Sequence, residues 1–257
     1  MLKKIALRGM ELARLEHALM RAHRGELKVL LYHNVDEPLF GNAIAGGEFA
    51  RHLEWLKKHC NVVSIRQDGT IDGAVDDRLN VLISFDDGFI NNAEAVTPLL
   101  TAAGLSAIFF VIVDCLAEGA VPGFQQARLG PDEDPTPYRT VTVADIRAMR
   151  AAGMAIGSHS LGHTDMREKD DAALLDDARQ SRARLEEVLG ETVGCFAFPW
   201  GHHNSGQPEK LLDVYDKIFL TRHGFAATGD RILPRNEVAN LAHLPHAVAG
   251  TVDLLRR

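Results

Sequence analysis

Ile83-Ser84-Phe85-Asp86-Asp87-Gly88 is the stretch on which the fold of this chain turns. The apolar run that leads into it reads as a strand, and two adjacent carboxylates close it. Neighbouring side chains on a strand point to opposite faces. Asp86 and Asp87 can therefore serve one site only where the pleat ends, and Gly88 supplies the backbone freedom for that ending. The pair marks a strand's carboxyl end. Further along, Gly157-Ser158-His159-Ser160-Leu161-Gly162-His163 carries two histidines in a run too rich in Gly and Ser for a helix interior, yet one turn brings both imidazoles together. One carboxylate with two imidazoles is a metal-ligand set that leaves a position open for water, as catalytic zinc sites do. Asp87, His159 and His163 are the expected ligands, and Asp86 is left over as a base.

Outward from this stretch, apolar runs alternate with helical periods. Residues 29–35, 61–65, 81–85, 106–113, 155–158, 195–200 and 217–221 are predicted as strands, and 48–60, 92–103, 143–152 and 170–189 as helices. Thr142 and Asp145 form a capping-box pattern, while Gly104, Gly153 and Gly190 stand where C-caps belong. Strands interleaved with helices predict an α/β fold, a distorted parallel (β/α)7-type barrel, rather than an open sandwich. With 257 residues, 46% of them hydrophobic, the chain is long enough for one such barrel. There the carboxyl ends of the strands converge. Asp86 and Asp87 would end the third strand, His159 the fifth and Trp200 the sixth. Residues 118–139, rich in Pro, Gly and Asp, have neither period and read as a long βα loop near the site.

The net charge of −7 denies the body of the protein the basic footprint that nucleic-acid binding needs. Cys60, Cys115 and Cys195 are widely spaced and suit reduced thiols better than a disulfide framework. Residues 1–25 read as an N-terminal amphipathic helix ahead of a catalytic domain over 26–257. Arg8, Glu11, Arg14 and Glu16 interrupt its apolar positions, which disfavours a signal peptide or membrane span and makes the cytoplasm the expected compartment. Its interleaved Lys3, Lys4, Arg8, Arg14, Arg21 and Arg24 leave two readings open. It packs on the barrel or on a second subunit, as in a homodimer, or it lies on an anionic inner-membrane face.

Phe-Asp-Asp-Gly, then His-Ser-x-x-His, then Phe198-Pro199-Trp200-Gly201, together resemble the polysaccharide deacetylase family, also called the NodB-homology family or carbohydrate esterase family 4. The three motifs in order are specific where each alone is modest. The pattern is most similar to bacterial exopolysaccharide deacetylases of the poly-N-acetylglucosamine or holdfast kind. This resemblance implies a metal-dependent hydrolase that removes N-acetyl groups from N-acetylated sugars, an exopolysaccharide or its lipid-linked precursor. The ion would be zinc first, with cobalt, nickel or iron also suited to the ligand set. Asp86 would be the general base, and the oxyanion would lie against the Pro199-Trp200-Gly201 turn, held by the Trp200 amide. The family's usual Leu-x-His has three counterparts, Leu31-Tyr32-His33, Leu241-Ala242-His243 and Leu244-Pro245-His246. The exopolysaccharide subgroup favours His33 as the acid. The third motif usually reads Arg-x-Pro-Tyr, whereas here Ala197 and Trp200 occupy the Arg and Tyr positions, and the same subgroup points to Arg235 as the cation that orients the catalytic carboxylate. Two alternatives remain: a deformylase or deacetylase of a different lipid-linked sugar, and a catalytically silent sugar-binding protein on the same barrel.

Overall fold

The structure is a computed structural model that describes residues 14–35, 43–238 and 244–249. Its main sheet is built from β1 (Leu27–Tyr32), β2 (Asn61–Val62), β3 (Asn80–Phe85), β4 (Ile108–Val111), β5 (Ala155–Ser158), β6 (Cys195–Ala197), β7 (Lys217–Leu220) and β8 (Ile232–Glu237). Seven of these close into a parallel ring in the order β1-β8-β7-β6-β5-β4-β3, with β3 pairing back onto β1. β2 lies outside the ring, against the amino half of β3 through Asn61–Asn80 and Val62–Val81, while β4 takes the carboxyl half of the same edge.

The ring strands are buried on both sides, which is why all of them except β8 read as largely apolar runs. Alternate residues supply two cores. Val29, Leu82, Ile108, Phe110, Phe219 and Leu233 fill the lumen. Leu30, Ile83, Phe109, Ile156 and Phe196 face outward, into the layer beneath the helices. That outer layer is covered by α1 (Gly46–His59) through Phe49, Leu53 and Leu56. α2 (Thr97–Ala103), α4 (Val143–Ala151) and α5 (Asp171–Leu189) continue the cover. α4 starts from the expected capping box, in which the Asp145 amide donates to the Thr142 side chain and the Thr142 amide to the Asp145 carboxylate. α3 (Gly123–Gln126), α6 (Gln207–Leu211) and α7 (Leu244–Ala249) are short.

The lumen rows carry the argument upward to the site. Leu82, Ser84 and Asp86 lie on one inward row of β3 and the residue that follows it, and Leu233 and Arg235 on the inward row of β8. The barrel is thus closed at its carboxyl end by a carboxylate and a guanidinium rather than by apolar side chains.

The seven-strand ring matches the expected barrel, with one member exchanged. Residues 61–65 divide into β2 and a separate antiparallel pair, Ser64–Ile65 with Ile71–Asp72. The closing strand is β8, which carries Pro234, Arg235 and Asn236 and so lacks an apolar signature. Residues 118–139 are not a structureless loop: they contain α3 and a single 3-10 turn at Thr136–Tyr138. The leading helix is described over 14–22, where Met20 is buried in the outer core with Leu19 packed beside it, and Leu15 is exposed. All three cysteines are free, and burial pushes the Cys60 thiol up to about 12 and the Cys115 thiol to about 11, so neither is a ready nucleophile.

Candidate active site

His33 directly follows β1, Asp86 and Asp87 follow β3, His159 follows β5, the Pro199–Gly201 turn lies just past β6, and Arg235 sits within β8. The barrel's carboxyl end therefore gathers His33, Asp86, Asp87, His159, His163, Trp200 and Gly201 around one cavity of about 240 Å³, with Arg235 paired to Asp86 and Pro199 next to Trp200 in sequence. The local chain bends sharply to achieve this. Among the described residues, the non-glycine positions with left-handed φ are Asp87 (69°), Ser160 (69°), His163 (56°) and Trp200 (59°), and each belongs to a site motif. Such a conformation costs on the order of 1–3 kcal/mol and persists only where the surroundings enforce it. Asp87 itself turns left-handed before Gly88 does, and this lets adjacent aspartates face one cavity. Two glycines are required by close approach: a Cβ on Gly88 would stand 2.9 Å from Val111 Cγ1, and one on Gly201 2.5 Å from Thr221 Cβ.

The histidine loop is pinned from several sides. The Leu161 amide donates to buried Asp177 at 3.1 Å, the Asp114 amide to the Leu161 carbonyl at 2.9 Å, and the His163 amide to Ser160 Oγ at 3.0 Å. His159 Nδ1 donates to the Ala197 carbonyl at 2.9 Å, so its Nε2 presents a bare lone pair. Asp87 Oδ1 lies 3.5 Å from His159 Nε2 and 3.2 Å from His163 Nε2. Two atoms each about 2.1 Å from one tetrahedral ion are about 3.4 Å apart, so the spacing fits a divalent metal. All three ligands are buried, with their donor atoms within 4.8 Å of one another.

Asp86 lies beside this set, 3.9 Å from His159 Nε2. Arg235 grips it in a bidentate pair, Nη1 to Oδ1 at 2.5 Å and Nη2 to Oδ2 at 2.7 Å. Burial alone would raise the Asp86 pKa, but the Arg235 guanidinium and the His159 imidazole outweigh it and hold the carboxyl below the usual range. Asp87 is likewise held low against its burial, by the His159 and His163 imidazoles that face it. Burial would lower His159, but the two aspartates raise it; His163 stays lowered because burial dominates there.

His33 is half-buried and lines the cavity with Asp86 and Asp87. His243 and the side chain of His246 lie outside the described residues. Trp200 projects at the rim, 42% exposed, edge-on to His163 and Phe124 with ring centroids 4.6 and 4.9 Å away. Phe124 stacks on His163 at 4.3 Å, and Arg128 lies over the Trp200 ring. These two come from residues 118–139, which the sequence placed near the site without identifying any side chain there. Thr221 and Glu237 also line the cavity and carried no motif signal. His202 is engaged outside it, with Nδ1 3.0 Å from Asp165 Oδ2.

A family model described as polysaccharide deacetylase matches residues 74–213. Over 197 residues the chain is 21% identical to YxkH of Bacillus subtilis (strain 168), named for the same family; the match covers 75% of this chain and 61% of that protein's length. Among solved structures, the Streptococcus pyogenes deacetylase PplD in complex with acetate superposes with a TM-score of 0.68 at 17% identity, covering 88% of this chain and 97% of that one. IcaB from Ammonifex degensii gives 0.68 at 23% identity, covering 88% and 96%. The de-N-acetylase from Aggregatibacter actinomycetemcomitans gives 0.65 at 21%, covering 82% and 94%. These likenesses show the same fold.

Proposed function

The chain belongs to the polysaccharide deacetylase family, and on that premise we propose that it is a metal-dependent hydrolase that cleaves the acetamide of N-acetylated sugars in an exopolysaccharide or its lipid-linked precursor. The observation that carries this reading is the bidentate Arg235–Asp86 pair set beside the convergent Asp87, His159 and His163. A sugar-binding module has no need of an ionised carboxylate clamped next to three metal ligands. The name of one structural neighbour, a de-N-acetylase, supports removal of an N-acetyl group as the reaction.

Zinc is the proposed ion, held by Asp87, His159 and His163; when bound it supplies the Lewis acidity that lowers the pKa of water and polarises the acetyl carbonyl. Asp86 takes the proton as water adds to that carbonyl. Arg235 fixes the carboxylate's two oxygens in place, at the cost of some basicity. The Trp200 amide donates to the developing oxyanion. His33 protonates the sugar nitrogen as the C–N bond breaks, giving acetate and a free amine. The exposed Trp200 ring offers a stacking face to a pyranose at the rim.

No described helix is long and apolar enough to cross a membrane. Action at the inner membrane face on a lipid-linked sugar, and pairing with a second copy, are part of the proposal; it draws on the basic residues of the leading helix. The test is elemental analysis of the purified full chain with acetate release from N-acetylglucosamine oligomers. One equivalent of divalent metal and chelator-sensitive acetate release are expected. Metal-free protein that releases acetate at the same rate would refute the reading.

A further inference from the structure

The end of the barrel opposite the active site holds a second polar cavity, of about 400 Å³. Four permanent cations reach it from three segments: Arg21 and Arg24 from the leading helix and the turn after it, Lys58 from the last turn of α1, and Arg78 from the strand-entry segment before β3. His17 and His59 join them, with ring centroids 5.3 Å apart. Asp77 is the one carboxylate in the lining. Among the described residues, no ion pair within 4.0 Å joins any of the four cations to a carboxylate. Arg78 Nη2 donates to the Lys58 carbonyl at 3.1 Å, which brings the two basic residues together.

This clustering runs against the charge of the whole chain, which is −7. The negative end of the α1 dipole accounts for Lys58 and His59. It does not account for Arg21, Arg24 and Arg78, which belong to other segments and meet at the same opening. Such convergence costs repulsion, and His59 registers it: burial first, then His17, Lys58 and Arg78, all lower its pKa. A multiply charged anion relieves that repulsion, and guanidinium forks match phosphate oxygens in geometry.

We propose that this cavity binds a phosphate-bearing group. The site is independent of the catalytic reading. It lies at the amino ends of the strands, about 20 Å along a six-residue strand from the carboxyl end, so the group held there is not the one being hydrolysed. The chemistry has two sources, a lipid headgroup or a soluble phosphate.

Pyrophosphate titrated calorimetrically into the full chain tests the site, against a variant carrying Arg21→Gln, Arg24→Gln and Lys58→Gln. Each charge near an anionic surface is worth about fivefold, so the variant is expected to bind more than tenfold more weakly, with an unchanged circular dichroism spectrum. Should the triple variant unfold, Arg24→Gln alone, an exposed change outside the helix, is expected to lose about fivefold. Co-sedimentation with phosphatidic acid vesicles, using phosphatidylcholine as control, separates the sources. Vesicle binding that pyrophosphate displaces assigns a headgroup, and pyrophosphate binding without vesicle binding assigns a soluble phosphate. Equal pyrophosphate affinity in parent and variant would move the anion to the metal site and overturn the proposal, as would no pyrophosphate binding by the parent.

Discussion

Replacing Arg235 with methionine removes both hydrogen bonds to Asp86 and leaves a carboxylate that is 3% exposed facing only a histidine 3.9 Å away. Breaking a buried pair from one side costs roughly 3–5 kcal/mol. Asp86 has one way to limit the loss, which is to take up a proton. At pH 7 this costs about 4 kcal/mol from an ordinary carboxylate value near 3.9, so both routes give a destabilisation of ~4 kcal/mol. The sign with pH follows from linkage. In the parent the Asp86 pKa is depressed, so its contribution is present above the unfolded value and is lost as pH falls through the folded one. The difference between parent and variant should therefore be largest at neutral pH and shrink in acid. Urea unfolding of chelator-treated proteins at pH 7 and pH 4 measures it. Without Arg235, burial is left as the main influence on Asp86, so the acid limb of kcat/KM should also move to higher pH. In the double variant with Asp86→Asn no buried charge is left unpaired, and the loss should be smaller than the sum of the single losses. A loss under about 1 kcal/mol at pH 7, with an unmoved acid limb, would refute the role given to the pair.

Asp86→Asn should keep its metal and lose roughly 10²- to 10⁴-fold in turnover, whereas Asp87→Asn should lose metal as well; elemental analysis beside the acetate assay separates the two, and near-parental turnover in Asp86→Asn would remove it as the base. His33→Ala should abolish the alkaline limb of the pH–rate profile, and an active His33→Ala beside an inactive His246→Ala would reverse the choice of acid. His52 lies buried on α1 with Nδ1 3.3 Å from the Tyr32 hydroxyl, and burial lowers its pKa to about 4. The unfolded chain then binds the extra proton first, so stability should fall by ~3 kcal/mol between pH 6.5 and 4; His52→Gln should flatten that part of the profile, and an unchanged slope in urea titrations would contradict it.

The barrel was legible wherever burial on both faces left an unbroken apolar run, as in Val81–Phe85 or Ala155–Ser158. It was illegible at the closing strand. Ile232–Glu237 pairs on both edges, with β7 and β1, yet its inward row ends in Arg235 and it contains a proline. The same charge that hides the strand from an apolar-run reading is the one that pairs with Asp86. Residues 61–65 failed in the opposite sense, since a short apolar run can belong to a strand outside the ring. What decides ring membership is which edge of β3 remains open, and that depends on three-dimensional closure rather than on local pattern.

The site divides along a similar line. Asp86, Asp87, His159 and His163 were readable because turn and ligand chemistry act over a few residues, and the left-handed backbone at Asp87 and His163 explains why those motifs are so rich in small, flexible neighbours. Phe124 and Arg128 were not readable, because a stacking contact leaves no spacing rule in sequence. Their position nevertheless bears on specificity. Phe124 lies face-on to His163, and Trp200 meets both edge-on, so this histidine forms one wall of an aromatic corner rather than standing open to solvent. On the proposed function, a pyranose stacked at Trp200 would lie beside Arg128, which lines the same cavity as Asp86. On that same proposal, the residues that do the chemistry would be fixed at β1, β3, β5 and β8, whereas those that meet the sugar would include side chains of a βα segment free to differ without disturbing the barrel.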